Sequence, residues 1–273
     1  RIGAETLSHL LRKARKDPGI KAVVLRIDSG GGSMTASEII RQELLQLQES
    51  GKPVLISMGR LAASGAYWIS ADAEEIWAEA TTLTGSIGVF GAWPTFEESL
   101  NQIGIHNDGV STNPAAESRS LTRPLQPRQA RALQLSVNQG YRHFLEIVAG
   151  GRRLNLAEVE KLAGGRVFSG HRAKEIGLVD HLGSLGDAVN SAAARVGLSA
   201  DDAIYLQDEK STTDMIGDLL NGRQHLSNSW LSQFMPKPYA TLVHNLQGRE
   251  NSFFNLTDPQ NIYVHSLLDG FME

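Results

Sequence analysis

Pro53-Val54-Leu55-Ile56-Ser57-Met58-Gly59-Arg60-Leu61-Ala62-Ala63-Ser64-Gly65-Ala66-Tyr67-Trp68 is the stretch that decides the fold class. Its apolar run, residues 53–58, reads as a strand, residues 59–63 as a tight turn of small residues, and residues 64–73 as a helix. Upstream, Ala22-Val23-Val24-Leu25-Arg26-Ile27 forms a second strand that runs into Asp28-Ser29-Gly30-Gly31-Gly32-Ser33. Between the strands, Thr35-Ala36-Ser37-Glu38 is a capping-box pattern that opens a helix through Ile39, Ile40, Leu44 and Leu47. Gly51 lies where that helix should stop. Strand, helix and strand in this order predict parallel pairing with a right-handed crossover, hence an α/β fold.

Working outward, residues 4–16 form an amphipathic helix with Leu7, Leu10, Leu11 and Ala14 on one face and Pro18 just beyond its end. Residues 75–78, 86–90 and 178–180 read as short strands. Residues 127–148 form a long helix with Leu133, Val137, Phe144, Leu145 and Val148 as core positions. Asn155 and Ser169 cap two shorter helices that end at Gly164-Gly165 and at Gly177. After about Asn190 the character changes, and residues 221–256 are rich in Ser, Asn, Gln and Pro without clean periodicity. The expected organisation is a domain over residues 1–190 that carries the site, then a C-terminal extension over 191–273 that packs on this core or on a neighbouring subunit.

The 273 residues suffice for a substantial core, and 41% hydrophobic with 21% charged residues is ordinary for a globular protein. A net charge of -4 argues against a nucleic-acid partner. There is no cysteine, which excludes disulfides and thiolate metal sites, and the eight histidines form no metal-binding pair. No cofactor or metal is expected. No apolar run approaches the roughly 18–20 residues of a membrane span. The chain begins at Arg1 without a methionine or a signal peptide, so a segment removed from the N terminus or a longer parent protein is expected.

A nucleophile at one strand end and a glycine loop at the neighbouring one suggest acyl transfer with an oxyanion hole. Ser64 is the candidate nucleophile. Gly32 and Gly65 are candidate oxyanion donors, because glycine lets the backbone approach a ligand closely and the amide after Ser64 opens a helix. Each such donor is typically worth about 10²–10³ in rate. Asp28 reads as a turn former, Tyr67 and Trp68 as core residues, and His106, His143, His171 and His181 as surface or satisfied polar residues. Met34, Leu61 and Val89 are candidate walls for an apolar substrate.

Taken together, Asp28-Ser29-Gly30-Gly31-Gly32-Ser33 and Ala62-Ala63-Ser64-Gly65-Ala66-Tyr67-Trp68 resemble the bacterial signal peptide peptidase A (protease IV) family. Thr82-Leu83-Thr84-Gly85-Ser86-Ile87-Gly88-Val89 and Gly177-Leu178-Val179-Asp180 extend the resemblance over residues 3–187, and residues 254–261 look like the C-terminal end of the long form. Gly30 departs from the family, which more often has proline there. The resemblance implies a Clp-protease/crotonase fold of repeated β-β-α units and a serine–lysine dyad. It implies Ser64 as nucleophile, Ser86 as the residue that orients the lysine, and Gly32 and Gly65 at the oxyanion hole. It also implies hydrophobic peptide substrates such as released signal peptides, and a homo-oligomer, expected to be a tetramer. The expected location is the periplasmic face of the bacterial inner membrane, with a membrane anchor in an N-terminal half.

The general base is missing. The stretch matching the lysine of short family members, His106-Asn107-Asp108-Gly109-Val110-Ser111-Thr112-Asn113-Pro114-Ala115-Ala116-Glu117-Ser118-Arg119, contains no lysine. Arg119 cannot accept a proton. Lys52 and Lys161 are expected to face solvent. A lysine base near neutrality must fall about three units from ~10.4, about 4 kcal/mol of differential environment, which solvent does not supply. In the long form of the family the N-terminal half supplies lysine and the C-terminal half supplies serine, and this chain resembles the C-terminal half. The isolated chain is therefore expected to be inactive. Two other readings share the fold: a non-catalytic half kept for assembly or substrate capture, and a crotonase-type acyl-CoA enzyme.

Overall fold

The computed structural model describes residues 3–110, 120–206 and the backbone of 262–265. Strand β3 (Val54–Ala63) organises it, and every residue of that strand except Arg60 is buried. A strand covered on both faces has no reason to alternate, which explains the continuous apolar run that opens it. One edge of β3 pairs in parallel with β1 (Val23–Ser29), from Val23↔Val54 to Ser29↔Ala62. The other edge is shared. There β4 (Glu75–Ala78) pairs in parallel beside residues 55–57, and β5 (Leu83–Gly85) beside residues 61–63. Antiparallel β7 (Val167–Ser169) joins β5 and parallel β8 (His181–Leu182) joins β4, completing a six-stranded sheet among the described residues. A smaller antiparallel sheet has the order β2 (Gly31–Ser33), β9 (Ile262–His265), β6 (Phe90–Gly91).

Helices flank the larger sheet, and the α/β class with a largely parallel sheet is as expected. Helix α1 (Ala4–Lys16) packs on α2 (Met34–Glu49) through Ser8, Leu11 and Ala14. Arg12 Nε donates to Glu43 Oε1 at 2.6 Å across this contact. Lys52 does not simply face solvent: its Nζ donates to Ala14 O and Asp17 O at 2.7 and 2.6 Å, satisfying carbonyls at the end of α1. Helix α3 (Gly65–Ser70) follows β3 directly and is buried through Tyr67 and Trp68. Then come α4 (Glu97–Gln102), α5 (Pro127–Arg152), α6 (Leu156–Leu162), α7 (Gly170–Glu175) and α8 (Leu185–Arg195). Helix α8 runs across residue 190 and packs on β1 and β3. Among the described residues, 3–110, 120–203 and 262–265 belong to one compact unit, and of the second unit only residues 204–206 are described. The segment 221–256 lies outside the described residues.

Several expected boundaries move, each for a local reason. Residues 59–63 continue β3 instead of turning, because both edges remain partnered. Thr82 and Thr84 hydroxyls donate to Gly59 O and Ala62 O at 2.7 and 2.6 Å, while Leu61 N donates to Asp28 Oδ1 at 3.1 Å. Helix α2 opens at Met34, not after Thr35, since Ser33 Oγ accepts from Ala36 N at 3.1 Å. Residues 86–89 are not a strand: Gly85 and Ser86, at φ 85° and 49°, turn the chain out of the sheet. Nor are residues 178–180, because Leu178 N and Val179 N close the end of α7 on Ala173 O. In α5, Phe144, Leu145 and Val148 are buried as expected, whereas Leu133 and Val137 are half-buried.

Helix α5 reaches the end of α3 at Gly151, where an added Cβ would lie 2.2 Å from Ala71 O; at Gly150 it would meet nothing within 4 Å. Gly151→Ala is therefore expected to lower stability by about 1–3 kcal/mol through overpacking. Gly150→Ala should raise it by up to about 1 kcal/mol through helix propensity. Urea unfolding midpoints at unchanged m value check both.

Candidate active site

Ser64 joins β3 to α3 with φ 57° and ψ −116°, a conformation that residues with side chains seldom adopt. Holding it costs on the order of 1–3 kcal/mol, so its neighbours must over-determine it. They do: Ser64 N donates to Gly85 O and Ser64 O accepts from Trp68 N, both at 2.8 Å. The side chain is fully buried, and Oγ has no hydrogen-bond partner among the described residues. A buried hydroxyl without a partner costs about 1–3 kcal/mol in a stable fold. Ser8 Oγ is also buried without a partner, but on the regular helix α1. Ser64 combines the unpaired hydroxyl with a strained strand-to-helix elbow, the geometry that presents a nucleophile.

The sheet register brings the other expected residues to the same edge. Ala63 is opposite Gly85, so Ser64 and Ser86 leave adjacent parallel strands at one level. Ser86 is buried, also has positive φ (49°), and its N–H donates to Arg166 O at 2.7 Å. Ser29 is opposite Ala62, so Gly30 and the short strand β2 that holds Gly31 and Gly32 start beside the same strand end; the expected glycine loop is largely strand. Ligands of open α/β sheets collect at this carboxyl edge. Gly31 and Gly32 have φ 110° and 155°, and a Cβ on Gly32 would touch nothing within 4 Å. Backbone conformation, not crowding, is what calls for glycine there. Gly65 is the first residue of α3 and is buried.

Sequence reasoning missed what clamps the elbow. Trp68 Nε1 donates to Glu38 Oε2 at 2.7 Å, linking α3 to α2. Arg41 Nε and Nη2 hold the same carboxylate at 2.9 and 3.1 Å, and Arg41 pairs with Asp72 beyond the end of α3. Glu38 was expected to serve a cap. The usable clue was that a buried indole N–H needs an acceptor. Asp28 serves strand pairing through Leu61 N. His143 lies edge-on to Trp68, His181 stacks on Trp77, His171 pairs with Glu175, and His106 Nδ1 bonds Asn101 Oδ1. Of the apolar candidates, Met34 and Val89 meet at Gly140 of α5, and Leu61 is buried in β3. No described lysine hydrogen-bonds Ser64 Oγ. Residues 111–119, Lys210 and Lys237 lie outside the described residues.

Burial alone would raise the Glu38 pKa, but hydrogen bonds from Arg41, Gln42 and Trp68 with the Arg41 charge outweigh it and hold the carboxyl below its ordinary value. A depressed folded value means the contribution is complete above the unfolded pKa of about 4.3 and is lost as pH falls through the folded one. The wild-type chain is therefore expected to lose stability between about pH 5 and pH 3 more steeply than Glu38→Gln. Urea titrations of both proteins across that range check it.

Comparison with known proteins places the chain. The sequence profile of peptidase family S49 matches residues 46–199, which include Ser64 and Ser86. Protease 4 of Salmonella typhi is 42% identical over 268 residues, covering 97% of this chain and 43% of that protein. Protease 4 of Haemophilus influenzae is 42% identical over 276 residues, covering 98% and 44%. A chloroplastic protein named serine protease SPPA from Arabidopsis thaliana is 34% identical over 222 residues, covering 81% and 33%. The chain thus spans less than half the length of these relatives. Among solved structures, a ClpP1 mutant from Listeria monocytogenes is similar at 15% identity with TM-score 0.46, over 68% of this chain and 86% of that one. With the profile matching more than half of its residues, the chain belongs to peptidase family S49.

Proposed function

We propose that this chain supplies the serine nucleophile, its orienting serine and the oxyanion hole of a peptide-bond hydrolase, and that a lysine from outside the chain acts as general base. The observation that carries this reading is the strained, buried Ser64 with its unpartnered Oγ. In the proposed mechanism Ser64 Oγ attacks the scissile carbonyl as its proton passes to a neutral lysine amine. The oxyanion is held by the N–H groups of Gly32 and Gly65, and the lysine then returns the proton to the leaving amine. Ser86, one strand away, holds the lysine by its hydroxyl. Burial around Ser64 favours a neutral amine and thus a usable base.

The relatives named Protease 4 are more than twice as long as the segment matched here, which leaves room for a second half that carries the lysine. Hydrophobic peptides, released signal peptides among them, are the proposed substrates, and the proposed assembly is a homo-oligomer, a tetramer in the simplest case. Among the described residues no helix is long and apolar enough to cross a membrane. The proposed anchor to the periplasmic face of the inner membrane therefore sits in the other half.

The test is labelling by a fluorophosphonate or peptide-boronate probe, with and without that half, using Ser64→Ala as control. Labelling at Ser64 only in the presence of the half is expected, with peptide hydrolysis by Ser64→Ala reduced at least about 10³-fold. Equal labelling of the chain alone would place the base within it. No labelling in either case would favour the non-catalytic or CoA-binding alternatives.

A further inference from the structure

Gly177-Leu178-Val179-Asp180 follows helix α7 through a glycine at φ 78° and joins three elements by its main chain and one carboxylate. Leu178 O accepts from the Tyr67 hydroxyl of α3 at 2.8 Å, and this bond is buried. Asp180 Oδ2 accepts from Ile76 N of β4 at 2.8 Å, and Asp180 N donates to Ile76 O at 3.0 Å. Asp180 Oδ1 pairs with Arg152, the last residue of α5, whose Nε also donates to Gly177 O at 3.3 Å. The turn is thus fixed to β4 and to α5 independently of Tyr67.

Helix α3 has six residues, too few to hold an orientation by itself, since helices this short are not stable alone. Two consecutive side chains restrain it: Trp68 Nε1 is tied to Glu38 of α2, and the Tyr67 hydroxyl to Leu178. Successive helical residues diverge by about 100° around the axis, so the two bonds pull in different directions and together oppose a roll of α3. A roll of about 20° would carry a Cα on a cylinder of about 2.3 Å radius through about 0.8 Å. Ser64 opens this helix, and a misplacement of about 1 Å at a reacting group can cost about 10²-fold in rate. Burial pushes the Tyr67 phenol well above its ordinary pKa, with Arg152 opposing the shift and Asp180 adding to it, so the hydroxyl keeps its proton near neutrality and stays a donor. We infer that Tyr67 is a positioning residue for Ser64, and that its bond to the Leu178 carbonyl, braced by Asp180 and Arg152, fixes the rotation of the helix that presents the nucleophile. The inference rests on the peptidase reading above, because it assigns Tyr67 an effect on turnover as well as on folding.

The experiment compares Tyr67→Phe with wild type in the polypeptide that carries this chain together with the base-supplying half. Peptide hydrolysis gives kcat and KM, and hydrogen exchange over residues 54–70 reports the elbow without any turnover. Tyr67→Phe is expected to lower kcat about ten- to a hundredfold with KM within about twofold. It should also speed exchange in residues 64–70 while residues 54–60 keep their protection. Val159→Ala, a core truncation in α6, is the control for lost stability alone and should leave kcat unchanged. Asp180→Asn keeps an acceptor for Ile76 N but removes the charge that holds Arg152, and should shift kcat in the same direction; it decides the matter if Tyr67→Phe does not fold. Wild-type kcat in the folded variant, or a fall no larger than that of Val159→Ala, overturns the inference. Faster exchange in Tyr67→Phe without labelling or hydrolysis by wild-type Ser64 would sink the peptidase reading and leave Tyr67 as the anchor of the elbow. Hydrolysis by wild type with unchanged kcat in Tyr67→Phe would do the reverse.

Discussion

One hydrogen bond, from Ser64 N–H to Gly85 O, marks where the architecture changes. Up to Ala63 the chain is a strand with partners on both edges; one residue later it is a helix. The bond extends the pairing of Ala63 with Gly85 and forces the backbone into positive φ where no glycine relieves it. The sheet supplies the restraint. With β1 along one edge and β4 then β5 along the other, the end of β3 cannot shift without breaking ladders on both sides. The parallel sheet is therefore the device that positions one hydroxyl.

Helix α2 ties that position to the rest of the candidate site. Its N-cap, Ser33, is the last residue of the glycine strand, and one turn into the helix Glu38 grips Trp68 on the helix that Ser64 opens. The glycine strand and the helix that Ser64 opens are thus both fastened to the N-terminal turns of α2. Arg41 keeps the Glu38 carboxylate charged and pointed at the indole, and Asp72 neutralises the far side of the guanidinium. Oxyanion stabilisation tolerates little misplacement, so a half-buried ionic clamp of this kind suits the proposed donors Gly32 and Gly65.

The sequence showed much of this because the site is built from local signals. The apolar run at residues 53–58, the bare glycines at 30–32 and the Ala62-Ala63-Ser64-Gly65 elbow each carry their own chemistry, and the strand–helix–strand spacing gives the pairing. Helix α1 was legible to the residue, because its apolar stripe and its end near Pro18 are unambiguous. Other features depend on partners distant in sequence. Residues 59–63 look like a turn until Thr82, Thr84 and Asp28 are seen to pair them. Glu38 matches a cap until Trp68 needs an acceptor. The return of residues 262–265 to the glycine strand could not be read at all, since nothing local in a four-residue apolar run names its neighbours.

The central claim is that the fold holds Ser64 in a strained backbone with an unpaired buried hydroxyl, features that chemistry needs and stability does not. The most direct measurement is the unfolding free energy of Ser64→Gly and Ser64→Ala against the wild-type chain in urea. Glycine relieves the positive φ and both variants remove the hydroxyl, so the prediction is that Ser64→Gly is more stable than wild type by about 1 kcal/mol or more, with Ser64→Ala between them. If both variants are less stable than wild type, Ser64 is an ordinary packed residue and the account is contradicted.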